Sequence, residues 1–404
     1  MAFQSDFLRA AEARGYLHQL TDPAAIDARA ARPGLVAYVG FDLTGPSLHV
    51  GHLLSIMLLR RLQQAGGRPI ALLGGGTTKV GDPSGKDTTR QLLDDATIAA
   101  NKASIRRTFE RFLTFDDSET GAILADNADW LDSLAYIPFL RDIGRHFSVN
   151  RMLSMDSVRL RLEREQPLSF IEFNYMVLQA YDFVELNRRH GCTLQMGGSD
   201  QWGNITMGID LGRRVLGAEL YGLTTPLITN ADGSKMGKTA SGAVWLNPEQ
   251  LPDWDYWQYW RNVDDRDVGR FLRLFTDLPL DEIARLEALE GAEINAAKIA
   301  LANAATELAR GAAAARSAEA TARATFEAGG EGEALPRLAV SAPLPLVDAL
   351  VQTGLAASKG EARRKIAEQA VKVDGIAATD PMQPVGAPVR LSLGKKRHAL
   401  LVAG

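Results

Sequence analysis

GLVAYVGFDLTGPSLHVGHLLSIMLLRRLQQAGGRPIALLGGG, residues 34–76, holds two buried-strand patterns with a helical pattern between them. The run Gly34-Leu-Val-Ala-Tyr-Val-Gly40 is short, apolar and β-branched, as a strand covered on both faces requires. Residues 49–65 then place Leu53, Ile56, Leu59 and Leu62 at helical spacing and stop at Gly66-Gly67. Pro69-Ile-Ala-Leu-Leu73 is a second buried strand, closed by Gly74-Gly75-Gly76. Strand, helix and strand in this order predict a parallel sheet covered by helices. The pattern returns downstream as a helix over 170–189, a strand over 193–196 and a helix from 201. Such sheets take ligands at the carboxyl ends of their strands, where the glycines and polar residues of this chain gather.

Working outward, 404 residues suffice for two or three domains. Hydrophobic residues at 46% and charged residues at 23% are ordinary globular values and exclude a disordered or fibrous chain. The net charge of −4 argues against bulk electrostatic binding to nucleic acid, although an average hides opposite halves. Cys192 is the single cysteine, which excludes an intramolecular disulfide framework. Its setting, Gly191-Cys192-Thr193-Leu194, reads as a small buried thiol at a strand entrance. No apolar run is long enough to span a bilayer, and Asp6 and Glu12 interrupt any leader-like start. The expectation is a cytoplasmic protein without membrane attachment.

From about Pro248 the pattern turns helical. Trp254, Trp257 and Trp260 form one stripe, expected to pack in a core or at a domain interface. Alanine-rich helices are expected over 280–328, then a glycine- and proline-punctuated linker. The tail from Ser341 carries nine basic and five acidic residues, a balance of +4, so the remainder stands at −8. It combines a basic helix over 359–370, a strand Val371-Lys-Val373 and an Asp374-Gly375 turn.

Four stretches carry chemistry. His49-Val-Gly-His52 opens a helix directly after a strand, with both imidazoles on the first turn. A zinc pair would need further Cys or His ligands at suitable spacing, which the scattered remaining histidines do not supply. An anion site fits better, with backbone N–H groups and two imidazole donors converging, and Gly51 leaving room for a ligand. Gly81-Asp-Pro-Ser-Gly-Lys86 has three residues between its glycines and Asp87 after the lysine, so it is no Walker loop. The triple glycine likewise fails the dinucleotide fingerprint, while Lys86 and Arg90 remain candidate phosphate clamps. Asn230-Ala-Asp-Gly-Ser-Lys-Met-Gly-Lys-Thr239, beside a strand-like 226–229, sets Lys235 and Lys238 in a glycine-rich loop suited to closing over a triphosphate. The bland alternative is an exposed turn. Tyr175, Gln179 and Asp182 share one face of an otherwise apolar helix, and a buried polar stripe needs partners or a ligand.

Together these residues resemble a known family. Leu43-Thr-Gly-Pro-Ser-Leu-His-Val-Gly-His52 is similar to the HIGH signature of class I aminoacyl-tRNA synthetases, and Lys235-Met-Gly-Lys-Thr239 to their KMSKS loop. Tyr38-Val-Gly-Phe-Asp42, Gly81-Asp-Pro-Ser-Gly85, Tyr175-Met-Val-Leu-Gln-Ala-Tyr-Asp182 and Gln195-Met-Gly-Gly-Ser-Asp-Gln-Trp202 resemble the bacterial-type tyrosyl-tRNA synthetases. The tail resembles the small RNA-binding domain shared with ribosomal protein S-four. The resemblance covers the whole chain with the motifs in family order.

It implies an α/β fold: a Rossmann-like parallel-sheet nucleotide-binding domain, then an all-α domain and a small α+β RNA-binding tail. The boundaries implied are 1–247, 248–328, a linker over 329–342, and 343–404. By similarity, Tyr38 and Asp182 would hold a phenolic hydroxyl, and Asp82, Tyr175 and Gln179 the ammonium, with Gln195 and Gln201 nearby. Gly40, Asp42, Gly51, Gly198 and Asp200, with His49, His52, Lys235 and Lys238, match the ATP and adenylate positions. Thr44, His49, His52, Lys86, Arg90, Lys235 and Lys238 match the residues that neutralise charge on departing pyrophosphate. Lys359, Arg363, Arg364, Lys365, Lys395, Lys396 and Arg397 would face RNA.

The substrates implied are tyrosine, ATP with magnesium that needs no dedicated protein cage, and the tyrosine tRNA, handled by a homodimer. Two other readings stand beside this one: a tryptophanyl-type enzyme, and a non-catalytic RNA-binding relative. Departures are small. Leu43 replaces a common proline, Gly237 and Thr239 soften the KMSKS loop, and Thr78-Lys79 adds a charge whose purpose the sequence does not give.

Overall fold

The computed structural model describes residues 2–83, 93–231, 233, 236–239, 242–326, 335–394 and 397–404, with backbone alone at 238, 239, 325 and 326. The chain forms two compact units, one of residues 1–236, 245–250 and 264–297, the other of 237–244, 251–263 and 298–404.

The first unit is built on β1 (Gln19–Leu20), β2 (Val36–Asp42), β3 (Arg68–Gly74), β4 (Ile123–Asp126), β5 (Leu194–Gly198) and β6 (Tyr221–Thr225). Their order is β1-β6-β5-β2-β3-β4, with every pair parallel except β1 with β6. Parallel strands need crossovers, and the Val50–Gln64 helix supplies the one between β2 and β3. That helix buries Leu53, Ile56, Leu59 and Leu62, each worth roughly 2 kcal/mol in transfer free energy. It stops where Gly66 turns left-handed, and a Cβ on Gly67 would lie 2.4 Å from Leu62. The Phe170–His190 helix starts on a reciprocal Ser169/Glu172 capping box and ends at left-handed Gly191. Glu172 also takes Arg161 at 3.1 Å, with both side chains almost wholly buried. Cys192 is buried at the entrance to β5, where burial pushes its thiol up.

One expected strand shifts and one strand was not expected. The strand expected at 226–229 lies earlier, as β6, because Pro226 has no N–H to continue the ladder. β4, which the sequence reading passed over, extends the sheet beyond β3.

In the second unit β7 (Lys238–Thr239) and β8 (Gly242–Ala243) form a short hairpin. The alanine-rich region is broken into helices, Leu280–Glu287 in the first unit, then Ile294–Arg310 and Ala312–Phe326, with left-handed Gly291 and Gly311 at the breaks. The Trp254, Trp257 and Trp260 stripe is core: all three are buried on the Asp253–Arg261 helix, and Trp257 donates to Asn303 at 2.8 Å.

The tail's strands are β9 (Arg337–Val340), β10 (Leu344–Pro345), β11 (Val371–Val373), β12 (Ile376–Ala377), β13 (Pro384–Val385), β14 (Val389–Leu393) and β15 (Arg397–Ala403). Five of them make a sheet in the order β12-β11-β14-β15-β9. β9 falls inside the stretch expected as linker; it pairs in parallel with β15 and lays Leu338 and Val340 on the tail's core. The basic helix runs Lys359–Ala367, shorter than expected, because Gln369 takes a positive φ. Asp374 and Gly375, both at positive φ, make the tight β11–β12 turn. Among the described residues no helix is long and apolar enough to cross a membrane.

Candidate active site

β2 and β5 lie side by side, and the strands that follow each run outward in opposite directions, β3 and β4 on one side and β6 on the other. This is the topological switch point, where a crevice opens at the carboxyl ends of the strands. Tyr38 on β2 stands in register with Gln195 on β5, and both are buried. The Tyr38 Oη and the Gln195 Oε1 are enclosed without a hydrogen-bond partner. Proteins rarely leave buried polar atoms so, and two together at a switch point mark a place shaped for a polar ligand.

Asp182 comes to the same place from the Phe170–His190 helix and is buried. Its carboxylate accepts from the Trp130 indole at 2.8 Å and from the Asn127 amide at 3.0 Å. Burial nevertheless dominates those two donors and pushes its carboxyl up to about 7. Burial, and then the charge of Asp182, holds the Tyr38 phenol well above its ordinary range. Asn127 also donates to Thr77 at 3.0 Å, Thr77 donates to Asp42 at 2.9 Å, and Tyr175 donates to the other Asp42 oxygen at 3.1 Å. A continuous chain of hydrogen bonds thus joins Asp182 to Tyr175 through three strand ends. The triple glycine makes room for it: a Cβ on Gly74 would lie 2.4 Å from an Asp42 oxygen, and one on Gly75 2.3 Å from Asp126.

A second polar group adjoins. Gln201 donates to Asp82 at 3.0 Å, Gln179 donates to Gln201 at 3.2 Å, and Asn204 donates to both glutamines, at 2.9 and 3.0 Å. A carboxylate set among amide groups suits an ammonium. Gly40 is exposed with open space where a Cβ would stand, Thr44 and Asp200 are exposed, and a Cβ on Gly198 would meet Asp200 at 2.6 Å.

The histidine pair is arranged differently from the expected backbone anion site. His49 Nδ1 accepts from the Gly51 N–H at 3.0 Å, and His52 Nδ1 accepts from the His49 N–H at 3.2 Å. The helix's own side chains thus use these backbone donors, and each neutral ring carries its proton on Nε2. Gly51 is required by the His49 ring, whose Cε1 a Cβ would approach to 2.7 Å. Met236, between the two loop lysines in sequence, brings its carbonyl within 3.5 Å of the same Cβ position. Trp245, six residues beyond the loop, forms an isolated antiparallel bridge with His49. Lys238 lies on β7, while Lys86, Arg90, Lys235, Lys395 and Lys396 fall outside the described residues.

Lys79, unexplained in sequence, pairs with Asp132 at 2.8 Å and Asp95 at 3.4 Å, and Thr78 accepts from the Leu43 N–H at 2.7 Å. In the tail, Arg363 and Arg364 are exposed, Lys359 pairs with Asp348, Lys365 pairs with Glu368, and Arg397 donates to the Gly354 carbonyl. Sequence reasoning missed Thr77, Asn127, Trp130 and Asn204. For Asn127 a signal existed: Ile123-Leu-Ala-Asp126-Asn127 is an apolar run ending in polar residues, the same form as β2.

The model for tRNA synthetases class I (W and Y) matches residues 31–327, and that for a tyrosine--tRNA ligase SYY-like C-terminal domain matches 328–392. The chain is 63% identical over 403 residues to the tyrosine--tRNA ligase of Novosphingobium aromaticivorans, covering 99% of this chain and 98% of that one. Its identity to the tyrosine--tRNA ligase of Zymomonas mobilis is 61% over 406 residues, covering 100% and 99%. Among solved structures, a C-terminally truncated mitochondrial tyrosyl-tRNA synthetase from Coccidioides posadasii superposes with a TM-score of 0.69 at 31% identity. That match covers 78% of this chain and 91% of that one.

Proposed function

The chain belongs to the class I tRNA synthetases of the W and Y family, and on that premise we propose that it joins L-tyrosine to its tRNA in two ATP-driven steps. In the first, a tyrosine carboxylate oxygen attacks the α-phosphate of magnesium-bound ATP, and pyrophosphate leaves as tyrosyl-adenylate forms. In the second, the terminal ribose hydroxyl of the tRNA attacks the adenylate carbonyl and AMP leaves. No protein nucleophile takes part. Catalysis is positioning together with neutralisation of the charge that develops on pyrophosphate.

The observation that carries this reading is the enclosed trio of Tyr38 Oη, Gln195 Oε1 and the Asp182 carboxyl at the switch point. A phenol entering there donates to Asp182 and accepts from Tyr38, so groups that are costly in the free protein become paired. Phenylalanine would leave them unpaired. Asp82, Tyr175 and Gln179 receive the ammonium, with Gln201 and Asn204 orienting Asp82 and Gln179, and Asp42 orienting Tyr175. Gly40, Asp42, Gly198 and Asp200 take the adenylate. His49 and His52, each protonated at Nε2, act on the phosphates with Thr44, Lys86, Arg90, Lys235 and Lys238. Lys238→Ala is therefore expected to slow adenylation far more than it weakens tyrosine binding.

The exposed basic residues of the tail, Arg363 and Arg364 foremost, contact the tRNA backbone. The working form is a cytoplasmic homodimer; Tyr136, Ile137, Val149 and Phe170, each more than half exposed, support a self-contact on the catalytic unit. Pyrophosphate exchange into ATP, measured with each amino acid in turn, tests the reaction. Tyrosine-dependent exchange is expected; exchange with tryptophan instead, or with none, overturns it.

A further inference from the structure

Asp182 is held on one side by a residue with a second attachment of its own. The Trp130 indole that donates to Asp182 lies beneath the Arg189 guanidinium, whose Cζ stands 5.0 Å from the ring centroid. Arg189 sits two turns beyond Asp182 on the same helix, and its Nε donates to Glu185 at 3.0 Å. Glu185 is itself nearly buried and also takes Arg188 at 2.9 Å. Three residues of one helical face therefore grip a tryptophan from the one-turn helix Ala128–Leu131 that follows β4: Asp182 by its N–H, Arg189 by its ring face, and Glu185 by fixing Arg189.

A cation over the face of an indole draws on the ring's π density, orients the ring plane and strengthens its N–H as a donor. The N–H it strengthens is one of two that keep the buried Asp182 able to ionise.

We propose that Arg189, which touches no substrate, is a positioning residue for tyrosine selection, acting through the Trp130 indole on the carboxylate of Asp182. The proposal rests on the reading of Asp182 as acceptor for the tyrosine hydroxyl. The charged and titratable groups around Asp182 are Tyr38, Tyr175, Asp42 and Asp126, and those around Arg189 are Glu185, Arg188 and His190. Changing Arg189 takes a partner from Glu185 and a charge from beside His190, and leaves the groups around Asp182 themselves in place.

The test compares Arg189→Met, which keeps an apolar stem, with Arg189→Lys, which keeps the charge. In Arg189→Met the preference for tyrosine over phenylalanine in pyrophosphate exchange should fall about two- to fivefold, the size of an exposed cation–π contact. The KM for ATP should not move, and the acid limb of kcat/KM for tyrosine should shift to higher pH. Arg189→Lys should restore most of both. In a Trp130→Phe background, where no N–H remains to be strengthened, replacing Arg189 should leave the preference unchanged. A carboxyl carbon NMR titration of Asp182 in the ligand-free protein needs no substrate, so it separates this inference from the proposed reaction. Its midpoint should rise in Arg189→Met. An unmoved midpoint and preference in Arg189→Met would overturn the proposal, as would an equal loss of preference in the Trp130→Phe background.

Discussion

Tyrosine binding should release protons, and the amount follows from the burial of Asp182. In the folded chain this carboxyl sits at about 7 against an ordinary 3.8, because the cost of desolvation exceeds the help of Trp130 and Asn127. The folded state therefore keeps a proton that the unfolded state has already lost. The stabilisation from this proton is complete below 3.8, declines by about 1.4 kcal/mol per pH unit, and is gone once the pH has risen through about 7. A tyrosine hydroxyl donates far more strongly to the ionised carboxylate than to the neutral acid, so binding is expected to expel the proton. About 0.9 proton should be released per tyrosine at pH 6, about 0.5 at pH 7 and about 0.1 at pH 8. Apparent affinity should drop about tenfold between pH 8 and pH 6.

Titration calorimetry in two buffers of different ionisation enthalpy measures both quantities on one sample. The ammonium and carboxylate of free tyrosine keep their charges across this range, so the signal belongs to the site. In Asp182→Asn the proton release should vanish and the remaining affinity should be flat with pH. An unmutated protein with flat affinity and no proton release from pH 6 to 8 would refute the reasoning, because Asp182 would then be ionised before the ligand arrives.

Three further outcomes are expected. Tyr38→Phe removes a buried hydroxyl that has no partner, so the free protein should gain about 1 kcal/mol in denaturant unfolding while its preference for tyrosine over phenylalanine falls. Gly51→Ala drives a Cβ to 2.7 Å from the His49 ring; adenylate formation in single turnover should slow at least tenfold, equivalent to about 1.4 kcal/mol, with tyrosine affinity unchanged. Removing the chain beyond Ala342 should leave pyrophosphate exchange intact and abolish tRNA charging, measured as acid-precipitable tyrosine.

Much of the site was legible because its residues carry their chemistry in short runs. The strand over 34–40 with its following helix located β2, the Val50–Gln64 crossover and the histidine turn to within about two residues. The stripe of Tyr175, Gln179 and Asp182 pointed inward as its period required. What stayed hidden were the groups that hold those residues. Thr77 and Asn127 look like ordinary polar residues after strands, and Trp130 like any core aromatic. Lys79 looked like an unexplained charge near the pocket until Asp95 and Asp132 came beside it. β9 was hidden for a related reason: Arg337-Leu-Ala-Val340 follows a glycine-rich break, and only its partner β15, some sixty residues on, makes it a strand.

The amino-acid sequence by itself determined the parallel α/β architecture, the order of the motifs and the placement of a basic tail after a more acidic body. Each follows from local periodicity, turn chemistry or charge. Tertiary structure alone decided how the site behaves. It determined that Tyr38 Oη and Gln195 Oε1 are enclosed unpaired, that the imidazoles take up the backbone donors of their own helix, and that Asp182 holds a proton near neutrality. Hydrogen bonds and desolvation act through space. The groups that set the charge of Asp182 arrive from β2, from the turn after β4 and from its own helix, and no single segment of sequence contains them all.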